Sequence, residues 1–183
     1  MKKSIFTFLM ILIATVAFSS SAQNVNIVGT WKGKTSGASD NPKDSMKGVI
    51  YYTHTFNANG TGTISFNGTV QGKIDDESQV KIRLKGSSPI SWTKKDNVIT
   101  ITSNPSQLNI DLTEKDVELT CTDPEMQSIM NSYKPHLVKM MRRKIKSSLK
   151  SDISKSQWKI IKSEGNSLTI NENGNTIKLT RVK

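Results

Sequence analysis

The sequence predicts a mainly β protein: an antiparallel sandwich or barrel, interrupted once by helix and preceded by an export signal. Three observations carry this. Apolar residues alternate with polar ones at period two over most of residues 28–122 and again after 155. Glycine, asparagine and aspartate stand between these runs at spacings that suit tight turns. A single stretch, about 123–150, changes to spacings of three and four.

The N-terminus comes first. Lys2 and Lys3 precede an uncharged apolar run over 5–18, and Ser20 and Ala22 fit the small-residue positions before a cleavage point. The expectation is a signal peptide over 1–22 and a domain over 23–183. The apolar run is too short for a spanning helix. No cysteine stands near the cleavage point to carry a lipid, so the expected destination is secreted or periplasmic, with no transmembrane segment in the mature chain. Removing 22 of the 183 residues leaves 161, enough for one domain with a real core. The net charge of +11 includes Lys2 and Lys3, so +9 remains. That balance favours anionic envelope surfaces as partners, and export argues against nucleic acid.

The strands follow in order. Val80, Ile82 and Leu84 share one face, with Lys81, Arg83 and Lys85 opposite. Ile64 and Phe66, Ile99 and Ile101, and Leu108, Ile110 and Leu112 repeat the pattern, which puts one face in a core and the other in water. Val49, Tyr51 and Thr53 alternate with Ile50, Tyr52 and His54. Ala58-Asn59-Gly60, Lys95-Asp96-Asn97, Gly165-Asn166 and Asn173-Gly174 are the turns. Three strands, near 157–163, 167–171 and 176–182, finish the chain. A long polar loop is expected over 36–47.

In the helical segment, Met126, Met130, Tyr133, Leu137, Met141, Ile145 and Leu149 mark one apolar stripe. Asp123 suits the N-cap and Pro124 the first turn. Pro135 predicts two helices or one bent helix. Lys134, Lys139, Arg142, Arg143, Lys144, Lys146 and Lys150 occur with no acid among them. Of these, Arg142, Arg143, Lys144 and Lys146 are the expected anion contacts.

The two ends of the mature chain belong together. Ile177 and Leu179 place Arg181 on an apolar face, where a guanidinium needs a partner, and the indole of Trp31 is a suitable one. That pairing would join first and last strands and remove the open edges. Gly29-Thr30-Trp31 on the first strand and Arg181 on the last resemble the signature of the calycins, which include the lipocalins. The order Gly29-Thr30-Trp31-Lys32-Gly33, then Phe56-Asn57-Ala58-Asn59-Gly60-Thr61-Gly62, and a final Ile177-Lys178-Leu179-Thr180-Arg181, is similar to lipocalin-like domains secreted into Gram-negative envelopes. The resemblance implies an up-and-down antiparallel barrel of about 8–10 strands. It gives Gly29, Trp31 and Arg181 structural roles. The helical insertion before the last three strands departs from lipocalins, whose helix follows the eighth strand.

No catalytic motif is legible: no nucleophile elbow, HExxH or phosphate-binding glycine loop. His54 and His136 lack ligand spacing, the lone Cys121 suits a half-buried strand position, and the acids cluster at turns. The expectation is therefore a non-enzymatic binding protein without a cofactor, taking a small apolar or amphipathic ligand. Tyr52, Phe66, Trp92, Met141 and Trp158 are its candidate ligand contacts. The rival expectation is an interaction module whose basic helix docks anionic lipid, lipopolysaccharide or an acidic protein.

Overall fold

The computed structural model describes residues 25–38, 46–153 and 155–182. The expected signal peptide lies outside the described residues, as does the middle of the polar loop. The elements are β1 (Gly29–Ala38), β2 (Lys47–Phe56), β3 (Thr61–Lys73), β4 (Ser78–Lys95), β5 (Val98–Ser103), β6 (Asn109–Asp111), β7 (Val117–Cys121), α1 (Pro124–Ile153), β8 (Lys155–Glu164), β9 (Ser167–Glu172) and β10 (Asn175–Arg181). The loop predicted over 36–47 is shorter than expected, because β1 continues to Ala38 in register with β2.

Every strand pairing is antiparallel, and the order β3-β2-β1-β10-β9-β8-β5-β4 closes on itself through β3–β4. This is an eight-stranded barrel. The turns follow from the chemistry that predicts them. Gly60, Asp96, Gly165, Asn173 and Gly174 all take positive φ. The Asn59 side chain accepts from the Thr61 backbone N–H at 3.1 Å.

The eighteen-residue β4 belongs to two structures at once. Residues 90–95 pair with β5 in the barrel wall, while residues 85–87 pair with β6 and 78–82 with β7. The chain thus leaves the barrel after β5, builds a lateral sheet along the other half of β4, crosses it with α1, and re-enters at β8. Two apolar cores result. Trp31, Phe56, Ile99, Trp158, Ile170 and Leu179 are among those filling the barrel. Val80, Ile82, Leu112, Val117, Val138 and Ile145 are among those between the lateral sheet and the helix. Their removal from water is the main favourable term in folding.

Helix α1 begins as its sequence requires. The Asp123 carboxylate accepts from the Glu125 and Met126 backbone N–H groups at 2.8 and 3.2 Å. It does not divide at Pro135, which lies inside one continuous helix. The apolar contacts of Val138, Ile145, Met130, Leu137 and Met141, on both sides of the proline, hold it together.

Candidate functional site: a notch in the barrel wall

The seam between first and last strands is held at one end. The Arg181 guanidinium carbon lies 4.6 Å from the centre of the Trp31 ring. Arg181 Nη2 donates to the Asn26 carbonyl at 2.6 Å, Trp31 Nε1 to the Ile27 carbonyl at 2.8 Å, and the Val182 N–H to the Thr30 carbonyl at 2.8 Å. Gly29 has φ 127° beside the Arg181 guanidinium, a conformation that suits glycine.

Beyond that lock the strands part. The β1–β10 pairs are Trp31↔Arg181 and Lys32↔Thr180. The rest of β1 pairs with β2, and the rest of β10 with β9. A concavity of about 910 Å³ opens between them, bounded by residues of β1, β2, β9 and β10. Lys32, Lys34 and Lys178 stand on its outer rim, exposed.

Strand alternation sets the inner wall. Tyr52, His54 and Phe56 share the inward face of β2. The Tyr52 ring lies over Gly33 of the neighbouring strand, where an added Cβ would come within 2.3 Å of it. On β9, Glu172 is directly paired with the buried Trp158 of β8, so both side chains face inward. Asn175 and Ile177 of β10 complete the lining. Behind Tyr52, the His54 ring meets Trp158 edge-on at 4.6 Å and Tyr52 at 5.5 Å.

The electrostatics follow from burial. Burial pushes the His54 imidazole down to about 4, so it is neutral at physiological pH. Burial, and secondarily the charge of Glu172, pushes the Tyr52 phenol up to about 12. The phenol is therefore a hydrogen-bonding group, not an anion. His54 Nδ1, Trp158 Nε1 and Asn175 Oδ1 are buried without a hydrogen-bond partner among the described residues. One end of the barrel thus offers polar groups next to an aromatic floor. No group of three His, Cys, Asp or Glu side chains that could hold a metal occurs among the described residues.

The five candidate ligand contacts do not share one site. Tyr52 lines the notch and Trp158 lies directly behind it. Trp92 is placed beside Phe56 at 5.5 Å, and its Nε1 donates to the Asn57 and Thr61 carbonyls of the β2–β3 turn at 3.1 and 3.0 Å. Phe66 covers Gly86 and packs against the second core. Met141 belongs to that second core as well, because α1 packs on the lateral sheet. The four candidate anion contacts also divide. Arg142 donates to the Leu112 carbonyl and Lys146 is half-buried, whereas Arg143 and Lys144 are exposed.

Sequence reasoning missed Glu172 and Asn175. The hairpin count from Gly165-Asn166 would pair Trp158 with the wrong residue of β9, because the register shifts between Ile160 and Lys162. A bulge of this kind moves every later pair by one and leaves no plain mark in the alternation.

The closed barrel, its Trp31–Arg181 lock and its lateral sheet now stand beside one comparison. The family model of the lipocalin-like domain matches residues 27–126. The chain belongs to the lipocalin-like domain family. The match runs from the lock tryptophan's own acceptor, Ile27, to the first turn of α1. The last three strands lie beyond it and complete the ring of this lipocalin-like barrel. Such a barrel fits a binding protein. A search of curated proteins finds no match. Among the described residues of this lipocalin-like chain, no helix is long and apolar enough to cross a membrane.

Proposed function

We propose that this lipocalin-like protein is an exported carrier that takes a small amphipathic ligand in the notch between β1 and β10. The observation that carries the reading is the unpaired seam. A barrel wall that could continue its ladder instead stops after two residue pairs and exposes an inward-facing polar and aromatic surface. Tyr52, Asn175 and Glu172 offer hydrogen bonds to a head group bearing hydroxyl or amide groups, and the inward carboxylate disfavours an anionic head. Ile177 and the edge of Tyr52 supply apolar contact for the rest of the ligand. Export is supported by the charged, apolar and small-residue order of residues 1–22.

The test is native mass spectrometry of the protein purified from the envelope fraction, followed by organic extraction. A reproducible added mass that extracts into solvent is expected, and it should be absent from the Ile177→Glu variant. An unmodified mass for the native protein, or an added mass indifferent to Ile177→Glu, would refute the notch as the carrier site.

A further inference from the structure

Helix α1 carries more apolar surface than its packing uses. At about 100° per residue, Met130, Leu137, Val138, Met141 and Ile145 occupy one arc, and these are the residues that meet the lateral sheet. Met126, Ile129, Tyr133 and Met140 fall together in the adjoining arc, about 60° wide. They are not part of that core: their exposures are 47%, 47%, 67% and 41%. On the far side of this exposed stripe, the same rotation places His136, Lys139 and Arg143, all exposed. Going round the helix, the order is packed face, exposed apolar stripe, cationic face. Residues 126–151 contain no acid, and seven lysines and arginines lie within them.

A stripe of large apolar side chains alongside a one-sign cationic face is the arrangement of a helix lying in a lipid interface. The apolar chains enter the acyl boundary while the ammonium and guanidinium groups remain with the head groups. A soluble partner would meet an apolar stripe equally well. The run from 126 to 151, which carries lysine and arginine but no acid, favours a surface that is continuously negative.

We infer that α1 docks the protein on an anionic lipid bilayer through Met126, Ile129, Tyr133 and Met140, with Lys139 and Arg143 at the head groups. This surface lies on the lateral sheet's helix, separate from the notch, so it does not depend on the carrier reading. It would hold a carrier against the membrane from which an amphipathic ligand is drawn.

The test is co-sedimentation of the protein with phosphatidylcholine vesicles, with and without phosphatidylglycerol. Binding to the anionic vesicles alone is expected. Lys139→Ala with Arg143→Ala should weaken it about 30-fold at low salt. Ile129→Ser with Tyr133→Ser should weaken it about tenfold or more. All four side chains are exposed, so both variants should melt as the native protein does. A Tyr133→Trp variant should shift its emission to the blue on anionic vesicles. Failure to sediment, equal binding to neutral vesicles, or an Ile129→Ser/Tyr133→Ser variant that binds as tightly as the native protein would overturn the proposal. So would binding to polyglutamate as strong as to vesicles, which would assign the helix to an acidic protein instead.

Discussion

Two residues illustrate how local chemistry becomes stability. Trp31 is 1% exposed, beneath the Arg181 guanidinium and bonded to the Ile27 carbonyl. Trp31→Ala removes a buried ring and the surface on which Arg181 rests, and should cost roughly 3–5 kcal/mol in denaturant unfolding. An unchanged midpoint would mean that the lock does not hold the seam. His54 is buried, with its ring among Tyr52, Phe56 and Trp158. Its folded pKa of about 4 lies below the ordinary value of 6.5. Between those values the unfolded chain binds the proton and the folded chain does not. Stability is therefore full above about pH 6.5 and falls as pH drops toward 4, by roughly 3 kcal/mol at most. Replacing His54 with Leu should flatten that part of the stability curve, measured by urea titration at several pH values. Sequence alternation places His54 and Tyr52 on one face. It does not say that the face is interior, because β2 also alternates two aromatic or aliphatic residues on its other side.

At the scale of the element, two glycines are explained by the rings that cover them. Tyr52 lies over Gly33 on β1, and Phe66 over Gly86 on β4, each from the directly paired position of the adjacent strand. A Cβ at Gly86 would come within 2.3 Å of the Phe66 ring and 2.9 Å of the Asn109 carbonyl. The carbonyl is backbone of β6 and cannot rotate away. Gly86→Val should therefore lower stability by about 1–3 kcal/mol through overpacking, read from the thermal midpoint. The helix gives the opposite lesson. Pro135 predicts two helices or one bent helix, and the packed residues on both of its sides decide for one. Burial of an apolar face outweighs the loss of one backbone bond, and no local signal announces that balance.

For the whole molecule, the seam and the two-part use of β4 decide where function can sit. In the barrel, β9 is paired along both edges, whereas β10 is paired with β1 only near its end. Amides of β9 should thus be the slowest to exchange in the C-terminal hairpins. The β10 amides that face the notch should exchange fastest and become protected when ligand binds, as seen by hydrogen exchange with and without the extracted ligand. Equal protection of β9 and β10 in the ligand-free protein would show that the notch closes in solution. The lateral sheet has a second consequence. It carries α1 away from the barrel mouth, so Met141 packs under the helix while His136, Lys139 and Arg143 face outward from a surface of their own.

Periodicity and turn chemistry by themselves determined the mainly β class, the turns with positive φ, the helical insertion and its cap, and the three final strands, because each is a local preference written in consecutive residues. The closing partnership of Trp31 and Arg181 was also legible, since a cation on an apolar face has few ways to be satisfied. Tertiary structure alone decided that β4 serves two sheets, that β1 and β10 separate after two pairs, and that Glu172 and Asn175 meet Tyr52 there. Those features depend on register between distant strands, and one bulge near Ile161 is enough to alter it without changing the local pattern.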